Sequence, residues 1–168
     1  AYTTPLVFDS SVLGQEYRDL HLIGHGKAVL QFNGTGVALK VFGNANTGVT
    51  TTMENLRIRG NANATDVLYL KNVFKSSFKN INLEEGTSVA LRCEFCLSNR
   101  FESIIISGAD VGQMTTRPVD GIYLDLQSTD NTFVNPIIEG VTGSGVRIVG
   151  ASGPNTFIGG TAESGGAS

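Results

Sequence analysis

The chain has 168 residues, enough for one domain with its own core, and only 16% are charged, with a formal net charge of −3. Its 12 Lys and Arg are scattered, so it lacks the basic stripe of nucleic-acid-binding domains, and no apolar window approaches the ~18 residues of a membrane-spanning helix. With 21 Gly and 40% hydrophobic residues, the composition excludes a disordered polymer and favours short strands joined by tight turns.

Short apolar pairs recur along the chain at intervals of roughly two dozen residues. The first series is Leu20-His21-Leu22, Leu56-Arg57-Ile58, Ile81-Asn82-Leu83, Ile104-Ile105-Ile106 and Pro136-Ile137-Ile138. A glycine closes each member, at Gly24, Gly60, Gly86, Gly108 and Gly140. Because apolar side chains at i and i+2 face one side of a strand, each member predicts a short strand with its middle residue pointing outward.

Two further series interleave with the first. The second is Val37-x-Leu39, Leu68-x-Leu70, Val89-x-Leu91, Ile122-x-Leu124 and Val146-x-Ile148. The third is Asn99-Arg100-Phe101, Asn131-Thr132-Phe133 and Asn155-Thr156-Phe157, with Met53 and Phe78 in the matching place of earlier repeats. Asn and Gly suit corners that need left-handed backbone, and a stacked Asn can hydrogen-bond its counterpart in the next repeat.

The order of the three series predicts the fold. One such strand buries little, but equivalent strands stacked about 4.8 Å apart form a parallel sheet and a continuous core. We therefore predict an all-β, single-stranded right-handed parallel β-helix in one domain, residues 1–168, with insertions at 44–52 and 111–118. An antiparallel β-sandwich explains the alternation but not the in-register repeats, and leucine-rich repeats would need a helical segment after each strand.

The opening repeat carries a family resemblance. Residues 17–27 (YRDLHLIGHGK) and 29–32 (VLQF) resemble the early coil of pectate-lyase-like β-helices, a group that includes phage tailspikes and capsule depolymerases. The later F-x-N-I-x-L and G-V-x-L coils are similar. The helical cap and P-x-G-x-Y segment that usually precede that coil are absent, and no cap follows the last coil, so we expect a segment of a longer protein or ends covered by partner chains.

The resemblance implies a tailspike-like protein, in the virion tail or outside the cell, that binds and depolymerises a bacterial surface polysaccharide as a homotrimer. Its chemistry would be that of a glycoside hydrolase or a lyase. The alternative is a receptor-binding or structural β-helix shaft without catalysis, and an autotransporter-like passenger is a third reading. The fold alone does not choose among them, because functional sites are grafted onto folds.

Glu139 and Glu163 are the candidate catalytic pair. They follow Phe133 and Phe157 by six residues each, as Glu84 follows Phe78, so the repeat predicts them one coil apart. Two such carboxylates repel each other and favour holding one proton between them, which acid/base cleavage of a glycosidic bond requires. The alternative is a pair of solvated corner residues.

An outward line of His21, Arg57 and Asn82, with Arg59 and Glu84 just beyond, is the first candidate binding surface. Such side chains can hold sugar hydroxyls and carboxylates through charge-assisted bonds, and an Arg or His base would suit lyase chemistry. The alternative is a surface ladder in which Arg59 pairs with Glu84 and does nothing more.

A second candidate binding surface lies on the strand at residues 120–125. Tyr123 and Asp125 face outward there, and the alignment places Arg92 one coil before Asp125. The outward ring predicts a sugar contact, and the alternative is a surface Arg–Asp pair of under ~1 kcal/mol.

Cys93 and Cys96 form the sequence CEFC. A redox CxxC precedes a helix, and a zinc site needs a second ligand pair; neither is visible. We expect two buried thiols, and we predict no cofactor, no metal, no nucleic acid and no membrane partner.

Overall fold

The computed structural model describes residues 1–10, 19–26, 28–107 and 116–164. The described part is all β, with parallel strands stacked as a solenoid of about 5 turns and no helix. It accordingly holds no helix that is long and apolar enough to cross a membrane. The predicted parallel β-helix class is confirmed.

The described strands fall into two parallel sheets. In chain order they are β1 (Leu6–Asp9), β2 (Asp19–Ile23), β3 (Val29–Gln31), β4 (Leu39–Phe42), β5 (Thr50–Arg59), β6 (Asp66–Lys71), β7 (Ser77–Glu84), β8 (Val89–Glu94), β9 (Arg100–Ser107), β10 (Asp120–Asp125), β11 (Thr132–Val134), β12 (Ile137–Val141), β13 (Val146–Ile148), β14 (Thr156–Ile158) and β15 (Thr161–Ser164). The smaller sheet has the order β1-β4-β6-β8-β10-β13, and we call it the first face.

The larger sheet bends across its long strands. Asn55 in β5, Asn80 in β7 and Ser103 in β9 have φ of 56°, 53° and 54°, a left-handed conformation that turns a strand sharply. Strands β2, β11 and β14 pair before this bend, and β3, β12 and β15 pair after it. The sheet thus forms a second face before the bend and a third face after it.

The core holds the predicted column of phenylalanines. Phe78, Phe101, Phe133 and Phe157 stack with centroid distances of 4.7, 4.5 and 4.7 Å and interplanar angles of 10°, 5° and 6°. Met53 pairs with Phe78 and continues the column. The first three rings are at most 1% exposed, and Phe157 is 37% exposed.

A ladder of asparagines runs beside this column. Nδ2 of Asn99 donates to Oδ1 of Asn131 at 2.9 Å, and Nδ2 of Asn131 donates to Oδ1 of Asn155 at 3.0 Å. The side chains of Asn99 and Asn131 are buried, so the ladder satisfies amides that burial would otherwise leave unpaired. The predicted hydrogen bonding between coils is confirmed.

The register corrects two of the aligned series. Leu20-His21-Leu22 pairs with Thr51-Thr52-Met53 on the second face, and the segment Ala28-Val29-Leu30 takes its assigned place beside Leu56-Arg57-Ile58. In the second series Leu68 and Leu70 pair with Leu91 and Cys93, not with Val89 and Leu91. A slip of two residues keeps every apolar side chain inward, so the pattern alone could not detect it.

The predicted insertion at 44–52 was wrong in extent. A turn closes within it, where the Gly48 amide donates to the Asn44 carbonyl at 2.7 Å, and Thr50 already begins β5. Of the second predicted insertion, 111–118, residues 111–115 lie outside the described residues, as does Gly108.

Candidate functional site

The third face presents two outward rows of side chains. One row contains Val29, Arg57, Asn82, Ile105, Ile137 and Thr161, whose Cα atoms pair in register from strand to strand. The other contains Gln31, Arg59, Glu84, Ser107, Glu139 and Glu163. In this second row, Gln31 pairs with Arg59, Arg59 with Glu84, and Ser107 with Glu139. Both predicted groups, the glutamates and the arginine cluster, therefore lie on one face.

The charged cluster at one end of this face centres on Glu84. Its side chain is 6% exposed, and the carboxylate contacts Nε of Arg59 at 2.7 Å and Nε of Arg57 at 3.2 Å. Nδ2 of Asn82 donates to the same carboxylate at 2.9 Å. Because a buried carboxylate needs such partners, Glu84 positions both arginines. The Arg59–Glu84 pair of the alternative interpretation, the surface ladder, is present. Arg57, 40% exposed, shares this anion with Arg59 and is only partly neutralised.

A cleft of about 560 Å³ opens beside Arg57. Its described lining comprises Gly26, Ala28, Val29, Asn55, Leu56, Arg57, Asn80 and Asn82. Arg57 is the only charged residue in that lining, and Asn55, Asn80 and Asn82 supply amide donors and acceptors. The volume lies within the range of small-molecule sites in proteins. The sequence indicated Arg57 and Asn82, but not the cleft.

Glu139 and Glu163 lie toward the other end of the third face. They follow the paired residues Ile138 and Ala162 directly, and the register shifts before Val141. Gly140, with φ of 67°, lies at this irregularity, and β-bulges often re-aim side chains near active sites. Glu139 is half-buried and Glu163 is exposed.

His21 does not join the arginines. It lies in β2 on the second face, where its Cα partner is Thr52, and the bend at Asn55 separates that face from Arg57. The predicted line of His21, Arg57 and Asn82 was therefore wrong in its first member; Val29 occupies that position.

On the first face, Arg92 forms an ion pair with Asp66 and not with the predicted Asp125. Its Nε lies 2.7 Å from Oδ2 of Asp66, and its strand partner in β10 is Tyr123. Asp125 pairs with Glu94 instead. The two-residue slip in the alignment explains this correction.

Tyr123 lies between two guanidinium groups. Arg92 lies 4.9 Å and Arg147 5.5 Å from its ring centroid, and their strands β8 and β13 flank β10 on opposite sides. Its hydroxyl lies 3.4 Å from Oδ2 of Asp125. A cation on either side of the ring leaves less of its two faces for stacking against a sugar, and the sugar contact at Tyr123 stays a prediction.

The sequence reasoning missed several members of this first-face network. Tyr69 donates to Glu94 at 2.5 Å, and Arg147 lies 3.3 Å from Asp120. Burial, followed by the hydrogen bond to Glu94, raises the pKa of Tyr69. Tyr69, Glu94 and Arg147 occupy outward positions of β6, β8 and β13, and a correct register would have identified them.

The two cysteines are confirmed as buried free thiols. Cys93 belongs to the inward row of β8, and burial raises the pKa of its thiol well above the ordinary value. A buried thiol of this kind is unreactive.

Comparisons were made with protein-family models, curated proteins and solved structures. None matches this chain.

Proposed function

We propose that the chain belongs to a tailspike-like protein. It binds a bacterial surface polysaccharide along the third face and cleaves it at Glu139 and Glu163. The observation that carries this proposal is the continuity of that face. A cleft beside Arg57 opens at one end, and the outward row that begins at Gln31 ends at the two carboxylates. From β3 to β15 the face crosses five strand spacings, roughly 24 Å at ~4.8 Å each. A straight surface of that length suits an extended polymer.

The two carboxylates suit hydrolysis. One protonates the oxygen of the leaving sugar, and the other attacks the anomeric carbon or activates a water molecule. Carboxyl groups ~5 Å apart are typical of retaining enzymes and ~6.5–9.5 Å apart of inverting ones. The register shift between Ile138 and Val141 falls at this pair, so the proposal covers hydrolysis of either kind, and the anomeric configuration of the product distinguishes them.

Elimination has less support from these residues. A guanidinium is not deprotonated in proteins, and Arg57 is held against Glu84, so it suits an anion better than it suits the role of a base. His21, the other candidate base, lies on the second face.

The proposal is tested by incubating the protein with purified capsular polysaccharides. Hydrolysis produces new reducing ends, whereas elimination produces the ultraviolet absorbance of unsaturated sugars. We expect reducing ends, and we expect Glu139→Gln and Glu163→Gln to abolish them while binding persists. Glu54→Gln, a carboxylate of β5 on the second face, is the matched control. Unchanged cleavage by both variants would refute the catalytic assignment.

A non-catalytic shaft is the second candidate. The ion pairs of the first face favour it. Asp66 pairs with Arg92 and Asp120 with Arg147, so these charges are neutralised within the chain and need no ligand. Retention of polysaccharide without new ends in the same assay would establish that function. For either function we propose a homotrimer, and a stable soluble monomer in light scattering would contradict it.

A further inference from the structure

The charges of the third face are separated along the solenoid axis. Arg57 and Arg59 lie in β5, whereas Glu139 and Glu163 lie in β12 and β15. Between them, Asn82, Ile105 and Ser107 occupy the outward positions, and Glu84 is buried beneath the arginines. The path from β5 to β12 crosses three strand spacings, or about 14 Å. One end of the face attracts anions and the other repels them.

We propose, on the basis of the function proposed above, that the polysaccharide is a heteropolymer in which carboxylate-bearing sugars alternate with neutral ones. An acidic unit occupies the cleft beside Arg57, and a neutral unit lies at Glu139 and Glu163. Arg57 is then a specificity-determining residue. The cleaved bond lies about 14 Å from the acidic unit that Arg57 binds.

The cleft has the groups that an acidic sugar needs. The guanidinium of Arg57 is 40% exposed, and Glu84 fixes it through Nε, which leaves terminal N–H groups for a carboxylate. Asn80 already donates to Asn55 at 2.9 Å, so these amides are held in place at the cleft wall. Val29, 45% exposed, offers an apolar contact for the C–H groups of a sugar ring.

The carboxylate end disfavours a second acidic unit. Glu163 is exposed and Glu139 is half-buried, and a polymer with a carboxylate on every unit would place like charges against them, which weakens binding. Ile105 and Ile137 are paired outward neighbours in the adjacent row, and Ile137 is 36% exposed. An uncharged sugar fits this surface, since its apolar ring face can cover the two isoleucines.

The test compares the affinity of the intact chain for three polymers at one ionic strength. Hyaluronan alternates an acidic and a neutral sugar, alginate is acidic at every unit, and dextran is neutral. We expect hyaluronan to bind about tenfold more tightly than either of the others, a difference of one ion-pair-assisted contact. Added salt should weaken its binding. Alginate or dextran binding as tightly as hyaluronan would overturn the proposal.

Variants separate the two ends of the face. Arg57→Gln should reduce hyaluronan affinity to that of dextran, whereas Arg100→Gln, an exposed arginine of the second face that pairs with Glu102, should leave it unchanged. Glu139→Gln combined with Glu163→Gln should strengthen alginate binding. An Arg57→Gln protein with unchanged hyaluronan affinity would refute the role of the cleft. If Arg57→Gln does not fold, the wild-type comparison decides.

The outcomes distinguish this inference from the function on which it rests. Capsular polysaccharide bound without any preference between charged and neutral polymers would overturn the inference and leave the function intact. The predicted preference without cleavage would support the inference and remove the depolymerase activity.

Discussion

Replacing Phe133 by alanine tests the stacked core directly. The side chain is fully buried, and its ring lies 4.5 Å from that of Phe101 and 4.7 Å from that of Phe157. Truncation of a buried phenylalanine costs about 3–5 kcal/mol, and each lost aromatic pair accounts for about 0.5–1.5 kcal/mol. We expect Phe133→Ala to lower the free energy of unfolding by about 4–5 kcal/mol, toward the upper end of that range, since two pairs are lost.

The matched control is Phe157→Ala. Phe157 is 37% exposed, and among the described rings it stacks only on Phe133, so we expect a loss of about 1–2 kcal/mol. Urea denaturation followed by circular dichroism gives both values, provided that the m-value is unchanged. In thermal unfolding the Phe133 variant should melt on the order of 10 °C lower. Equal losses for the two variants would refute the argument that the column stabilises through its buried interior.

Three further predictions concern the corners and the ends. Asn131→Ala removes an amide that donates to the Cys96 carbonyl at 2.9 Å and leaves buried groups unpaired; urea denaturation should show a loss of about 2–3 kcal/mol. Gly60→Ala would place a Cβ 2.1 Å from the Glu85 carbonyl oxygen, and the forced backbone shift should cost about 1–3 kcal/mol by the same measurement. Burial raises the pKa of Tyr2 from 10.0 to about 12, so the unfolded chain loses this proton first and stability falls as pH rises from 10 to 12. The urea midpoint of Tyr2→Phe should fall less over that window, and identical slopes would contradict the assignment.

The sequence was sufficient to predict the solenoid because its strongest markers allow only one register. Asn131-Thr132-Phe133 and its counterparts place a polar corner and a large ring at fixed positions, and both stack as expected. Runs of alternating apolar residues carry no such marker. Val89, Leu91 and Cys93 all face inward, so a shift of two residues leaves the same alternation of apolar and polar side chains. That ambiguity misplaced Arg92 against Asp125.

The corners show a second limit of the sequence. Glycine and asparagine were expected there, but Glu85, Phe95 and Leu126 also adopt positive φ, at 56°, 51° and 49°. Such residues resist the left-handed region in isolation, and the coils on either side impose it through their hydrogen bonds, as from the Phe95 amide to the Asp125 carbonyl at 3.2 Å. Local preference could not predict a conformation that the stack determines.

The candidate site was predictable in its residues more than in its shape. In one outward row Arg59 pairs with Glu84 and Ser107 with Glu139, as the repeats predicted. Glu163 follows Ala162 at the point where the register shifts, and its place beside Glu139 stays a prediction. The cleft beside Arg57 depends on the bend at Asn55 and on β3, whose position the aligned repeats gave to Leu20-His21-Leu22. The sequence therefore did not predict the cleft.

The in-register stacking also makes one coil an interchangeable unit. Ser77 and Arg100 are Cα partners, so a chain that lacks residues 77–99 would join Ser76 to Arg100 and bring β6 against β10. The inward pairs at the junction would remain apolar, because Leu68 and Ile122 both pair with Leu91 and would then pair with each other. The length of the molecule can therefore change by whole turns during evolution while its cross-section stays constant.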